Sequence, residues 1–300
     1  MTTKVECEFE INIRTLVKRK RMLLSPESLV IDAFCSSLEQ YYHLNYGDTE
    51  VPYGEVASWA ARLSLENIAN SDMLYHNLEH TVMVTVAGQS ILHGKQLIHG
   101  GISAEDWLHC TLAMIFHDIG YCKGICQGDA DNSFIISESG ERIELPKTAT
   151  DAQLTPYHVD RGKVFVRERF GRNTRNIDVD RIARYIEMTR FPVPEGEIAD
   201  DPDGLGVLVR AADMLGQLGD PSYLNKIPAL FFEFEQLGWN KNFGYKTPWD
   251  LRHNYSAFYW KQAYPHIEPV MPYLKATQDG RQWIANLHAH VFSVEHLEAP

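Results

Sequence analysis

Hydrophobic positions recur at helical spacing along most of the chain from Ser25 onward. Two groups of apolar residues illustrate the pattern, because most of their members lie three or four positions from another member. The groups are Val56, Trp59, Ala60 and Leu63, and then Met83, Val84, Ala87 and Ile91. Side chains at this spacing lie on one face of a helix, where they can pack against a core. The pattern therefore predicts an amphipathic helix over each stretch.

Residues typical of helix starts support the same prediction. Ser25 precedes Pro26, as expected for an N-cap followed by a proline in the first turn. Ser103 and Asp106 have the spacing of a capping box before an apolar run, and Asp178 precedes another regular run. Further helices are predicted at about 158–170, 178–190, 204–218, 223–237, 254–275 and 281–297. The predicted fold class is all-α.

The N-terminal segment departs from the helical pattern. Apolar and polar residues alternate strictly from Val5 to Ile13, which predicts a short strand or a pairing arm. A basic segment at 14–21 follows, and we interpret it as a solvated helix face rather than an anion-binding site. The sequence has neither an internal repeat nor a linker long enough to divide the rest. We therefore predict an arm at 1–24 and a single helical catalytic domain at 25–300.

The stretch between Gly120 and Pro156 is poor in helix-forming residues. Two short β-prone runs, 134–137 and 142–145, are joined around Gly140 and predict a small hairpin. A loop of this length inside a domain is typically functional or mobile. The segment could therefore close over a site as a lid.

The composition narrows the class of protein. Of the 300 residues, 44% are hydrophobic, and 28 basic against 40 acidic side chains give a net charge of −12. An acidic chain is a poor match for a nucleic acid duplex or an anionic membrane. The sequence has no apolar run of roughly 18 residues, no signal-peptide order at its start, and five cysteines that do not suggest a disulfide framework. We expect a cytoplasmic protein that binds a small molecule, and the sequence leaves a homo-oligomer open.

Histidines and carboxylates recur at spacings that suit a metal site. His76 and His80 lie four residues apart, so a helix would put both imidazoles on one face. His117 and Asp118 follow one apolar run, and Asp213 interrupts another, where a carboxylate is costly unless it is paired or metal-bound. Each residue alone could be structural, but the ordered set of nitrogen and oxygen donors favours a divalent ion such as Zn²⁺, Fe²⁺ or Mn²⁺.

In their order, these residues resemble the signature of the HD-domain metal-dependent phosphohydrolases. The Tyr-His-Asn-x-x-His form at 75–80 is similar to the catalytic domain of the cyclic-nucleotide phosphodiesterases. Thr189 lies in a stretch similar to that family's Ile-x-x-Thr, and Gln262 lies in a segment that resembles the one with its purine-contacting glutamine. The resemblance covers about residues 70–275. It implies a compact multi-helix HD-domain bundle in which the hairpin is a small insertion.

The resemblance also implies a role for each matching residue. His80, His117, Asp118 and Asp213 would ligate a first ion (Zn, Fe or Mn), and Asp118 would bridge to a second ion (Mg or Mn). His76 would protonate the leaving oxygen when a metal-bridging hydroxide attacks the phosphorus.

Further residues are candidates for contacts with the substrate. The resemblance places Tyr75, Thr189 and Gln262 in this group. His158 is the last residue of 155–158, the stretch nearest to the family's Glu-Asn-His-His segment, where it could be an extra ligand or a phosphate contact. A surface histidine at a helix N-terminus is the alternative for His158.

Three hypotheses of function follow. The leading one is a phosphohydrolase that cleaves a phosphoester of a nucleotide or a cyclic nucleotide. The second is an HD-domain di-iron oxygenase that acts on a small polar substrate, which an additional ligand at His158 would favour. The third is a non-catalytic HD-fold module that binds a ligand.

Overall fold

The structure is a computed structural model, and it describes residues 25–48, 51–171, 176–193, 201 and 203–297. The predicted arm at 1–24, with its strand and its basic segment, lies outside the described residues.

Helices make up most of the described chain, which confirms the all-α prediction. In chain order the helices are α1 Pro26–Tyr46, α2 Tyr53–Ile68, α3 Leu78–His99, α4 Ala104–Phe116, α5 His158–Phe170, α6 Val179–Glu187, α7 Gly206–Leu218, α8 Tyr223–Gln236, α9 Trp239–Phe243, α10 Pro248–His253, α11 Tyr255–Phe258, α12 Tyr264–Ile267, α13 Met271–Lys275 and α14 Gln278–Phe292. Short 3-10 segments are Ile119–Tyr121, Asp151–Tyr157 and Glu268–Val270, and π-helical segments are Tyr259–Ala263 and Ser293–Leu297. None of the described helices has the length and apolar character needed to cross a bilayer.

Local capping explains where the helices near the predicted site begin. Ser25 and Ser103 are the N-caps of α1 and α4, as predicted. The capping box predicted for Ser103 is present, and Ser25 forms one as well. Asn77 caps α3, because its side-chain oxygen accepts hydrogen bonds from the backbone N–H groups of Glu79 and His80. His80 therefore lies in the first turn of α3, while His76 lies in the loop before it.

The prediction of one helix over 254–275 is wrong. The chain there runs through α11, the π-helical segment, α12, a 3-10 segment and α13. Pro265, Pro269 and Pro272 each lie in the first turn of one of the last three segments. Proline has no backbone N–H, and its ring clashes with the preceding turn, so each proline interrupts the helical hydrogen bonds.

The central helix α3 crosses α7 at very short range. A Cβ atom at Gly216 of α7 would lie 2.4 Å from the Cα atom of Val84 on α3, so glycine is needed for this approach. The crossing brings together two helices that carry predicted ligands, His80 on α3 and Asp213 on α7. Around it, buried apolar side chains form one core cluster that extends from Ile31 to Val294. The domain boundaries stay a prediction.

The predicted hairpin is confirmed between α4 and α5. Strand β1 Ser133–Ile135 pairs antiparallel with β2 Arg142–Glu144. Arg161, a fully buried residue of α5, anchors this insertion. Its guanidinium pairs with Asp129 at 2.9 Å and donates hydrogen bonds to the backbone carbonyls of Gly120, Cys122 and Ile135. Arg161 therefore ties several points of the insertion to the helical core.

An Arg161→Met variant is expected to lower the free energy of unfolding by about 3–5 kcal/mol. The change leaves the Asp129 carboxylate, 1% exposed, as a buried charge without its cation. Urea unfolding followed by circular dichroism would measure the loss. Arg169→Met, at an exposed position of the same helix, is the control and should cost no more than about 1 kcal/mol. Equal losses in the two variants would contradict an anchoring role for Arg161.

Candidate metal centre

The four predicted ligands of the first metal converge from three parts of the chain. The Nε2 atoms of His80 and His117 lie 3.4 Å apart. Asp118 Oδ2 lies 3.2 Å from the His80 nitrogen and 3.1 Å from the His117 nitrogen. Asp213 Oδ1 lies 3.7 Å and 3.6 Å from the same two nitrogens. His117 and Asp118 reach this point because they directly follow α4, whose end lies beside α3 and α7.

These distances fit a single small cation. Ligands at about 2.0–2.2 Å from a tetrahedral ion are separated from one another by about 3.3–3.6 Å. Asp118 Oδ2 is also a buried oxygen for which the described residues provide no hydrogen-bond partner. A buried acceptor in this position is unfavourable unless a cation or a donor satisfies it. The donor set therefore suits a divalent metal ion, and the geometry leaves its identity open.

Hydrogen bonding orients the His117 ring for ligation. Its Nδ1 donates to the Met114 carbonyl oxygen at 2.8 Å, which leaves Nε2 as the atom directed at the other donors. Burial lowers the pKa of His117, but the carboxylates of Asp118 and Asp213 outweigh burial and raise that pKa to about 9. Burial raises the pKa of Asp213, whereas the pKa of Asp118 is held well below its usual range because nearby histidines outweigh burial. The cluster thus favours a bound proton or a bound cation.

His158 lies on the other side of Asp118. Its Nδ1 donates to the Thr155 carbonyl at 2.6 Å, and its Nε2 lies 3.9 Å from Asp118 Oδ1. Burial lowers the pKa of His158 to about 4, so its ring is neutral near pH 7 and its Nε2 keeps a lone pair. Asp118 therefore has one oxygen toward His80 and His117 and the other toward His158, an arrangement that a bridging carboxylate requires.

His76 pairs with an acidic residue that the sequence analysis did not identify. Its Nδ1 lies 2.6 Å from Oε2 of Glu233, a side chain of α8 that is 2% exposed. The other carboxylate oxygen accepts the backbone N–H groups of Tyr75 and His76 at 2.6 Å and 3.2 Å. An available signal was the position of Glu233 three residues after Leu230, on the buried face of α8.

The pairing favours the protonated form of the His76 ring. Burial lowers the pKa of His76, but the charge and hydrogen bond of Glu233 outweigh it and raise that pKa above its ordinary value. Burial raises the pKa of Glu233, and the His76 cation with the two backbone donors lowers it overall. His76 could also be a ligand, because one of its nitrogens lies within 4.8 Å of donor atoms of His80 and Asp118.

Tyr121 separates the two flanking histidines. Its ring stacks on His158 at a centroid distance of 4.3 Å and on His76 at 4.9 Å. Both imidazoles therefore have a flat, buried neighbour that restricts their rotation. The sequence analysis did not single out Tyr121.

A cavity of about 690 Å³ opens over these residues. His76, His80, Asp118 and His158 line it, and so do the predicted contacts Thr189 and Gln262. Its remaining walls include the aromatic residues Phe191, Tyr223, Phe234, Trp239, Phe243, Tyr245, Tyr255 and Phe258.

The third predicted contact, Tyr75, has a different position. It is 3% exposed and packs against the rings of His76 and His80, outside the set of lining residues. Thr189 and Gln262 therefore line the same cavity as the metal donors, whereas Tyr75 does not line it.

Comparison with known proteins identifies a family and nothing more specific. No curated protein and no solved structure matches the chain. A family model described as Npun_R2479-like matches residues 24–297, which is most of the chain and includes every residue of the candidate metal centre. The chain therefore belongs to the Npun_R2479-like family.

Proposed function

We propose that this protein is a metal-dependent phosphohydrolase of the HD-domain type that cleaves a phosphoester of a nucleotide or a cyclic nucleotide. The observation that carries the proposal is the convergence of four donor atoms at 3.1–3.7 Å beside a buried His76–Glu233 pair, in the wall of a cavity of about 690 Å³. The resemblance of residues 75–80 and His117-Asp118 to the HD signature supports the same assignment.

His80, His117, Asp118 and Asp213 would hold the first metal, and Asp118 with His158 would contribute to a second. Divalent ions bound there would supply a nucleophile at neutral pH and neutralise charge on the phosphoryl oxygens. The protein would hold the substrate against this centre and exclude water with the aromatic walls of the cavity.

His76 would act as the general acid. The leaving oxygen of a phosphoester needs a proton, and an imidazolium is a natural donor near neutral pH. Because Nδ1 of His76 is hydrogen-bonded to Glu233, the proton would leave from the other ring nitrogen, Nε2. Glu233 would be a positioning residue that keeps the ring oriented and charged.

The cavity is large enough to hold a nucleotide. Pockets for small organic ligands commonly occupy about 300–1,000 Å³, and the observed volume of about 690 Å³ falls within that range. Aromatic side chains such as Phe258 can stack on a planar base, and the amide of Gln262 can both donate and accept hydrogen bonds.

The second candidate, a di-iron oxygenase, is favoured by the position of His158. A neutral histidine 3.9 Å from Asp118 Oδ1 adds a nitrogen donor that a second iron would accept. Two irons per chain with absorbance in the visible region would support the oxygenase, and Zn, Mn or Mg would oppose it.

Metal analysis combined with a substrate panel tests the proposal. Protein purified without chelator would be assayed with bis(p-nitrophenyl) phosphate, adenosine 5′-monophosphate and 3′,5′-cyclic adenosine monophosphate. We expect turnover of at least one ester, loss of turnover after chelation, and recovery with Mn²⁺. A protein that retains its metal and hydrolyses none of these esters would not be the proposed hydrolase.

A Glu233→Gln variant is expected to lower kcat by about tenfold to hundredfold without loss of metal. The amide keeps the size of the side chain and its ability to form hydrogen bonds, but it removes the charge that raises the His76 pKa. The alkaline limb of the kcat profile should therefore move to lower pH, because His76 would lose its proton earlier. Glu235→Gln, two residues further along α8, is the matched control. An unchanged pH profile in Glu233→Gln would rule out the positioning role.

A further inference from the structure

Arg210 is a buried arginine in the cavity wall. It lies on α7, is 5% exposed, and is one of the lining residues. Its Nε donates to the Met188 carbonyl oxygen at 2.6 Å, and its Nη2 contacts the Met188 sulfur at 3.7 Å. Within the described parts of the chain its guanidinium forms no ion pair, and Asp201 and Glu187 act on it only through their charge. Several of its N–H donors are therefore available to a ligand.

A second arginine in the same wall provides a contrast. Arg190 also lines the cavity, but its guanidinium contacts Asp160 at 3.0 Å and Glu187 at 2.9 Å. The charge of Arg190 is thus satisfied by direct ion pairs. The guanidinium of Arg210 directly contacts a carbonyl and a thioether instead, and the charges of Asp201 and Glu187 act on it without a direct contact. A buried cation without an anionic partner is unfavourable, and an arginine stays protonated instead of becoming neutral.

The position of Arg210 separates it from the metal donors. Arg210 precedes Asp213 by three residues on α7, which puts the two side chains on adjacent turns of one face, with Cβ atoms about 5–6 Å apart. Asp213 is directed at His80 and His117, while Arg210 is held at the end of α6 by Met188. The cavity therefore contains a cationic position next to the metal centre and distinct from it.

We propose that Arg210 binds a second anionic group of the substrate, a phosphate or a carboxylate, that is separate from the phosphoryl group attacked at the metal centre. This inference rests on the proposed function for the identity of the phosphoryl group that is cleaved. On that basis the substrate is a phosphoester that carries a second anionic group. Guanidinium groups suit both anions, because their planar N–H donors match two oxygens at once.

A matched pair of chromogenic esters tests the inference. One is thymidine 5′-(p-nitrophenyl phosphate), and the other is the same ester with an additional 3′-phosphate. Wild-type kcat/KM should be higher for the 3′-phosphorylated ester. Arg210→Met should lower the ratio of the two kcat/KM values by about tenfold to hundredfold, which is the usual effect of losing one charge-assisted hydrogen bond. The kcat/KM for the simpler ester should stay within about threefold of the wild-type value. Arg190→Met, in the same wall, is the control and should keep the preference.

Other outcomes would overturn the inference. Equal losses on both esters in Arg210→Met would mean that Arg210 contacts the scissile phosphoryl group or supports the fold, and a melting curve would separate these two cases. A wild type without preference for the additional phosphate would overturn it as well.

A binding measurement keeps this test independent of turnover. If the wild type hydrolyses neither these two esters nor any ester of the substrate panel above, the proposed function fails. Tryptophan fluorescence titrations with thymidine 3′,5′-bisphosphate and thymidine 5′-monophosphate then decide. Weaker binding of the bisphosphate alone in Arg210→Met would support the anion site. Unchanged binding of the bisphosphate would reject it.

Discussion

A His117→Ala variant is expected to lose its bound metal and to lower kcat by about a thousandfold or more. The Nε2 atom of His117 lies within 3.1–3.6 Å of three other donor atoms, and its ring is held by Met114. Its removal leaves an incomplete donor set that binds divalent ions weakly. Metals that act as Lewis acids commonly supply several kcal/mol of transition-state stabilisation, and about 4 kcal/mol corresponds to roughly a thousandfold in rate.

Elemental analysis of protein purified without chelator, together with the ester assay, measures both losses. His288→Ala is the control, since His288 is exposed on α14 and lies outside the lining residues. Because His117 is buried, Asp213→Asn provides a second variant with a smaller change in volume. Retention of wild-type metal content in both His117→Ala and Asp213→Asn would contradict the proposed metal centre.

A His76→Ala variant is expected to keep its metal and to lower kcat by about a hundredfold to ten-thousandfold, the usual range for general acid–base catalysis. The size of the loss should depend on the leaving group. An alkoxide needs a proton as it departs, whereas p-nitrophenolate departs without one. The deficit of His76→Ala should therefore be large for a nucleoside leaving group and small for p-nitrophenyl esters.

Two further results refine the test of His76. His76→Asn keeps a hydrogen-bond donor for the Glu233 carboxylate, whereas His76→Ala leaves that buried charge unpaired. Comparing the two variants therefore separates the loss of catalysis from the effect of an unpaired Glu233. The same rate loss in both variants would indicate general acid catalysis. Metal loss in His76→Ala would instead identify His76 as a ligand, as its grouping with His80 and Asp118 allows.

Much of the secondary structure was predictable because it depends on residues close together in the chain. The capping residues Ser25 and Ser103 begin α1 and α4 where the sequence predicts, and the β-prone runs around Gly140 pair as a hairpin. The prediction failed at 254–275, where apolar spacing suggested one helix and three prolines divide the segment. Proline chemistry there outweighs periodicity.

The donor types of the candidate site could also be proposed from the sequence, because His76, His80, His117, Asp118 and Asp213 occur in a characteristic order. Their partners could not. Glu233 is 157 residues from His76, and Met188 is 22 residues from Arg210. Periodicity indicates that such a residue lies on a buried face, but the helix opposite that face depends on how the whole chain packs.

The amino-acid order thus specified the helices, the hairpin and the donor set, since each depends on short-range hydrogen bonds or on residue type. Helix packing decided the rest. The close approach of α3 and α7 at Gly216 brings His80 and Asp213 together, α8 places Glu233 behind His76, and the same packing leaves Arg210 facing the cavity with no carboxylate partner in the described residues. Contacts of this kind arise only when side chains distant in sequence compete for the same buried space.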